Sequence, residues 1–147
     1  MSYIDKNLMN SEKVIYKAKM HWSIFIPSIL LFSIGLLLMI ISNNILGIGF
    51  ILLAIVAFVR AIIIKKSTEL GVTSKRVIAK FGLIKRNTIE LNHSKVESYN
   101  VDQSVLGRIF DFGTIIINGT GGGRTPIPNI DKPLEFRKYA METIDNS

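Results

Sequence analysis

Two long apolar stretches constrain this chain more than anything else in it. From Ile24 to Ile41 no residue carries a charge, and after Ser42, Asn43 and Asn44 a second apolar run extends from Ile45 to Ile64, broken only by Arg60. At about 1.5 Å of rise per helical residue the runs reach roughly 27 and 30 Å, matching the roughly 30 Å hydrocarbon core of a bilayer. Both are read as membrane-spanning helices joined by the "SNN" turn. A secretory signal peptide is the rival for the first run, but it carries a shorter apolar stretch nearer the start and a small-residue cleavage site. A second run directly behind the first fits that reading poorly. Composition agrees: the 147 residues are 48% hydrophobic before their 11 glycines are counted, more than one small soluble domain requires.

Lys and Arg bias the segments that carry them toward the cytoplasm. Lys13, Lys17 and Lys19 precede the first run, Lys65 and Lys66 follow the second, and the connection between them is uncharged. The expectation is a multi-pass protein of the cell membrane with both termini cytoplasmic and only the turn outside. Three segments follow: a cytoplasmic N-terminal segment, 1–21, a transmembrane hairpin, 22–64, and a cytoplasmic domain, 65–147. Pro27 costs little near the start of a helix, where backbone N–H groups lack intrahelical partners anyway. Arg60 lies about one turn from the basic end of its helix, so its stem can lie along apolar surface while the guanidinium reaches the headgroups.

Several chemistries are excluded by what the chain lacks. With no cysteine there are no disulfides, thiolate metal sites or thiol nucleophiles. The two histidines, His21 and His93, have no His, Asp or Glu at metal-ligand spacing. No Gly-x-Ser-x-Gly occurs, and the carboxylates of the cytoplasmic part stand singly among basic and polar residues. The expectation is a protein that is not an enzyme, with no metal and no cofactor.

Residues 67–147 are mostly strand-like. Thr68 to Thr73, Arg76 to Phe81, Arg86 to Leu91, Val96 to Val101, Gly113 to Asn118 and Arg124 to Pro128 are short runs rich in β-branched or aromatic residues, punctuated by Ser, Asn, Gly and Pro. In the second run Val77, Ala79 and Phe81 alternate with Arg76, Ile78 and Lys80, which predicts one buried and one wetter face. "TIII" does not alternate and predicts a strand covered on both sides. A terminal helix is expected from Asp131 to Asn146, with Asp131 as its N-cap, Pro133 and Glu135 in its first turn, and Leu134, Tyr139 and Met141 as its contacts. Strands followed by a helix make an α+β or capped-barrel architecture.

The pieces "VTSKRVI", "FGLIKR", "IELNHSKVESYNVDQS", "LGRIFDFGTI" and "GTGGG", in this order behind a membrane hairpin, resemble the bacterial pleckstrin-homology-like domain of small two-helix membrane proteins, the YdbS-like family. The resemblance covers most of residues 69–123. It implies a membrane α-helical hairpin followed by a small α+β domain, a pleckstrin-homology-like β-barrel or strongly curved sheet with a C-terminal capping helix. Phosphoinositide-binding versions of that fold hold the headgroup in a long basic loop between the first two strands. Here "TSKR", read as that connection, leaves room for a tight turn only. Six strands are counted where the full barrel has seven, so either a short strand is hidden or an edge is open to pairing with another chain.

The net charge of +7 bears on partners. Nucleic acid is not among them, because aromatic platforms interleaved with the basic residues are lacking and no helix-turn-helix is visible. Arg60, Lys65, Lys66, Lys75, Arg76, Lys85 and Arg86 are the candidate membrane-surface contacts, serving either as a solvated flank that sets topology or as partners of anionic lipid headgroups. Leu106, Arg108 and Phe110 in "LGRIFDFG" are read first as packing beneath the barrel and second as a partner-binding loop. Gly121, Gly122 and Arg124 belong to "GTGGGR", which no helix follows and which lacks the Walker A spacing. It is a hairpin turn rather than a phosphate grip, with a partner contact as the alternative. The function expected is a membrane-anchored, non-enzymatic scaffolding module that assembles with itself, as a homo-oligomer, or with other membrane proteins. The alternative is a small transporter or pore component in which the hairpin does the work.

Overall fold

The computed structural model describes residues 3–41, 44–82 and 87–145. In chain order, helix α1 (Tyr3–Lys6) and strand β1 (Val14–Ala18) come first, followed by a 3-10 turn (Trp22–Phe25) and the long helices α2 (Ile26–Ile41) and α3 (Asn44–Ser67). Strands β2 (Glu69–Thr73), β3 (Arg76–Phe81) and β4 (Asn87–Asn92) follow, then a 3-10 turn (His93–Lys95) and β5 (Val96–Asp102). Helix α4 (Val105–Phe110), strands β6 (Phe112–Gly119) and β7 (Arg124–Asp131) and helix α5 (Pro133–Asp145) complete the chain. Two units result: Met1–His21 with Ser67–Ser147, and Trp22–Lys66.

In Trp22–Lys66 the two helices, counting the 3-10 turn with α2, are each long and apolar enough to cross a membrane. They approach closely at Gly35, where a Cβ would stand 2.8 Å from Cγ1 of Ile51 and 3.1 Å from the Gly47 carbonyl oxygen. The rings of Phe25 and Phe58 lie 5.2 Å apart, and Nζ of Lys65 stands 5.4 Å from the Phe25 centroid. Ser28 donates its hydroxyl to the Phe25 carbonyl at 2.7 Å and Ser33 to that of Ile29 at 2.9 Å, so both hydroxyls are satisfied within the helix. Leu30, Ile40, Ile45 and Val56 face outward.

The other unit consists of two antiparallel sheets, β1-β2-β3-β4 and β5-β6-β7, with α5 packed on them. Leu70, Val72, Val77 and Ala79 of the first sheet and Tyr99, Ile115, Ile117 and Ile127 of the second enclose one core, which α5 completes with Phe136 and Ala140. The rings of Tyr16 and Tyr99 meet Phe136 edge-on at 6.1 and 6.2 Å. Ile115, Ile116 and Ile117 are all buried, as their lack of alternation predicts. The sheets join at one corner. Beyond β1, Met20 bridges Ile130 of β7, His21 donates its N–H to the Asn129 carbonyl at 2.7 Å, and Asp131 donates to that of Lys19 at 2.9 Å.

All six strands expected in the sequence are present, and a seventh, β1, precedes the hairpin. Its period-2 pattern, with Val14, Tyr16 and Ala18 half-buried and Ile15 and Lys17 exposed, is easily missed because Lys17, with Lys13 and Lys19 on either side of the strand, also serves as the basic flank of an apolar run. β1 pairs with β2 as far as Ala18↔Leu70. The hairpin is therefore an insertion between the first two strands. "TSKR", read in the sequence as the first connection, is the turn between β2 and β3, and the connection between β1 and β2 is the hairpin itself.

The wetter face predicted for β3 is covered as well. Ile4 of α1 is buried, its Cδ1 2.7 Å from where a Cβ on Gly71 would stand, and Gly71 is in register with the fully buried Ile78. The N–H groups of Tyr3 and Ile4 donate to one carboxylate oxygen of Glu69 at 2.7 and 3.4 Å, fixing α1 in place. In α5 the buried face is Pro133, Phe136, Ala140 and Thr143, whereas Leu134 and Met141 point to solvent. Tyr139, more than a third exposed, stacks on Tyr16 at 4.9 Å. Asp131 is the last residue of β7, and the Lys132 carbonyl accepts the N–H groups of Glu135 and Phe136, so the helix begins at Pro133 with Lys132, not Asp131, immediately before it.

Candidate functional site

Helix α4 is held by its small and polar residues and presents its large ones outward. Ser104 caps it, its hydroxyl accepting the Gly107 N–H at 3.1 Å, and Asp111 ends it in the left-handed conformation. Gly107 lies so close to β6 that a Cβ there would stand 2.5 Å from the Phe112 carbonyl oxygen, which excludes any larger residue. The Gln103 side chain donates to the carbonyls of Gly107 and Phe112 at 3.3 and 3.1 Å. Val105, Leu106, Ile109 and Phe110 fall on one stripe one helical turn apart, and they are 73%, 58%, 68% and 48% exposed. Burying a side chain of this size fully contributes about 1.5–3 kcal/mol, so an outward apolar stripe of this kind marks a candidate contact surface.

The base of α4 is the corner where the two sheets join. Phe112, two residues after the helix, stacks on His21 with ring centroids 4.9 Å apart. Lys132 donates its N–H to the Asp111 carbonyl at 2.9 Å. Asp111, Asn129 and Lys132, three of the four non-glycine residues with positive φ among the described residues, all lie here, and such backbone strain gathers at functional sites. A cavity of about 250 Å³ opens between Asp102, Ser104 and Thr114 on one side and Pro128 and Asn129 on the other. Among the described residues no Lys or Arg lines it.

The residues singled out in the sequence fall into separate places. Leu106, Arg108 and Phe110 are exposed on α4, and the reading of this stretch as packing beneath the barrel is corrected: only Gly107 is buried there. Val105 and Ile109 complete the stripe and were not singled out, although Ser104 ahead of "VLGRIF" is an N-cap followed by apolar pairs one turn apart. Gly121, Gly122 and Arg124 are exposed at the opposite end of β6, eight residues away, in a turn closed by Gly119 N–H to the Gly123 carbonyl at 2.9 Å. Arg60, Lys65 and Lys66 are exposed on α3. Lys75 is exposed in the β2–β3 turn, its ammonium donating to the Asn10 carbonyl at 3.0 Å. Lys85 and Arg86 lie outside the described residues.

Arg76 is the exception, because its guanidinium presents no charge to any surface. It is 6% exposed and donates to Glu12 from Nε at 3.1 Å and from Nη2 at 3.2 Å, to the Asn7 carbonyl from Nη2 at 2.7 Å, and to Glu90 from Nη1. Burial by itself would raise the pKa of Glu12. The Met9 N–H, the Thr73 hydroxyl and the Arg76 guanidinium outweigh it and hold the carboxyl below its ordinary value. His93 donates from Nε2 to the Thr73 carbonyl at 2.8 Å, which joins it to the same cluster. The cluster has the form of a structural latch between the N-terminal segment and the β2–β3 turn. Among the described residues no group of three His, Cys, Asp or Glu could hold a metal ion.

Sheets of four and three strands packed with a C-terminal helix define a pleckstrin-homology-like module, a class of binding domains. The family model for the bacterial PH domain matches residues 24–143, so the chain belongs to that family, with the apolar helices inside the matched region. No curated protein and no solved structure matches the chain significantly.

Proposed function

We propose that the chain is a membrane-anchored, non-enzymatic binding and scaffolding module, its hairpin crossing the membrane and its PH-like unit working at the cytoplasmic face in assembly with itself or with other membrane proteins. The observation that carries this reading is the insertion of the hairpin between β1 and β2, two strands that pair as far as Ala18↔Leu70. A domain tethered through two adjacent paired strands has far less freedom than one hung from a single linker, which suits a module that must present one face. The outward apolar surface of α2 and α3 suits contact with hydrocarbon. β4 and β5 are terminal strands of their sheets, and such edges can accept a strand from a partner.

The transporter alternative has less support. The groove between the two helices is lined, among the described residues, by Ser28, Ile29, Phe32, Ala54, Ile55 and Phe58, and the Ser28 hydroxyl is already bonded to the helix backbone. Polar groups facing a path are what transport requires.

The natural absence of cysteine makes the test direct. Single substitutions Lys13→Cys, Asn44→Cys and Thr120→Cys are treated with an impermeant thiol reagent on sealed cells, with cross-linking in the same membranes reporting assembly. Only Asn44→Cys is expected to react, and dimers or larger species are expected from the cross-linker. Reaction at Lys13→Cys or Thr120→Cys overturns the topology, and a clean monomer in native membranes overturns the assembly.

A further inference from the structure

We propose that the apolar face of α4 lies in the interfacial zone of the phospholipid bilayer that the hairpin crosses, giving the PH-like unit a second, non-covalent hold on the membrane. The proposal rests on the reading of the hairpin as membrane-spanning and adds to it a lipid-contact surface made by Val105, Leu106, Ile109 and Phe110.

Three observations carry it. The stripe is built to face outward: the Ser104 cap, the close approach at Gly107 and the Gln103 clamp fix the helix on β6 by its other side, so the large side chains have no route to the core. The base of α4 also adjoins the segment that leads to the hairpin. Phe112 stacks on His21, Lys132 bonds to Asp111, and Asp131 bonds to Lys19, while Trp22, the next residue after His21, begins the apolar hairpin. The chain therefore enters the hairpin one residue after a ring that stacks beside the base of α4. Finally, the patch is the wrong size for a protein partner acting alone. A six-residue helix is roughly 9 Å long, and a stable dimer buries about 800 Å² on each partner. Interfacial segments need only a few large apolar groups with a polar or basic neighbour, and exposed Arg108 on the same helix is that neighbour.

The test uses the full chain reconstituted into vesicles of phosphatidylcholine and phosphatidylglycerol, with an environment-sensitive fluorophore on a single cysteine at Ile109→Cys, at Thr120→Cys in the β6–β7 turn, or at Val56→Cys midway along α3. The Ile109 label is expected to emit at shorter wavelength than the Thr120 label and to be quenched by lipids spin-labelled near the headgroup. The Val56 label is expected to be quenched by lipids spin-labelled deep in the acyl chain. If Val56 is quenched while Ile109 matches Thr120, the α4 contact is overturned and the anchored reading stands. If Val56 is not quenched, the anchored reading falls and takes the proposal with it. A blue shift at Ile109 that disappears at one copy per vesicle means that a second copy covers α4, and it overturns the lipid assignment.

Discussion

Arg76 and Glu12 face each other through two hydrogen bonds, Nε to Oε1 at 3.1 Å and Nη2 to Oε2 at 3.2 Å, so that a residue preceding the hairpin is locked to one that follows it. Both side chains are almost fully withdrawn from water, and the pair is completed by Thr73, whose hydroxyl donates to Oε1 of Glu12 at 2.6 Å. Buried pairs of this kind contribute little net stability relative to an apolar pair, but removing one partner strands the other.

Glu12→Ala is therefore expected to destabilise the PH-like unit by about 3–5 kcal/mol. The pH dependence follows from the lowered carboxyl. The stabilisation is fully present above the ordinary value of 4.5 and is lost as pH falls through the lower folded value. Thermal unfolding of the full chain in detergent between pH 7 and 3 should show this loss, and Glu12→Gln should flatten it. An unchanged acid slope in Glu12→Gln would assign the acid sensitivity to other carboxylates.

The insertion of the hairpin makes a second prediction. Because Ala18 pairs with Leu70, the Cα atoms there are only about 5 Å apart, and replacing 22–66 by a short Gly/Ser link should leave the remaining unit able to fold. That spliced chain is expected to be soluble and to unfold cooperatively. A fragment beginning at residue 65 lacks β1, Ile4 and Glu12, so it leaves β2 without its outer neighbour and Arg76 with Glu90 as its one remaining carboxylate of the two. It is expected to fail to unfold cooperatively by circular dichroism. Equal behaviour of the two chains would make the N-terminal strand dispensable.

The glycine turn separates two substitutions that look equivalent in the sequence. Gly122 has φ of +76°, whereas a Cβ at either Gly121 or Gly122 would meet nothing within 4 Å. Only the backbone discriminates them. Gly122→Val should lower stability by about 1–3 kcal/mol through strain, and Gly121→Val should leave the melting temperature nearly unchanged. Equal losses would mean that the turn depends on something other than the sign of φ.

What could be read from the sequence divides along the range of the interactions involved. The two apolar runs and the six strands after them depend on local pattern, and each strand lies within three residues of where its pattern put it. β1 could not be read the same way, because Lys17 and Lys19 satisfy both a strand pattern and a positive-inside flank, and only pairing with Gly71 and Leu70 across the hairpin decides between them. The burial of Arg76 was hidden for the same reason. Glu12, the carboxylate it grips through two bonds, is 64 residues away, and nothing near "TSKR" announces it. On α4 the residue types were legible, but their direction was not. That depends on Gly107 meeting the Phe112 carbonyl, a contact the chain makes only after β6 has turned back.

Tyr99 supplies the last test, this one of the core. It is 1% exposed, its ring meets Phe136 edge-on, and its hydroxyl has no hydrogen-bond partner among the described residues. Burial pushes the hydroxyl pKa upward, so the group is protonated and uncharged at neutral pH. A buried hydroxyl without a partner forfeits its hydration, and Phe has the same shape without that loss. Tyr99→Phe is expected to leave the stability within about 1 kcal/mol of the parent or to raise it. Phe136→Ala, which removes the ring that Tyr16 and Tyr99 both meet, should cost about 3–5 kcal/mol. Both are read from thermal unfolding of the full chain. A loss at Tyr99→Phe approaching that at Phe136→Ala would mean that the hydroxyl holds the core together through a bond, and that the aromatic packing is the lesser contribution.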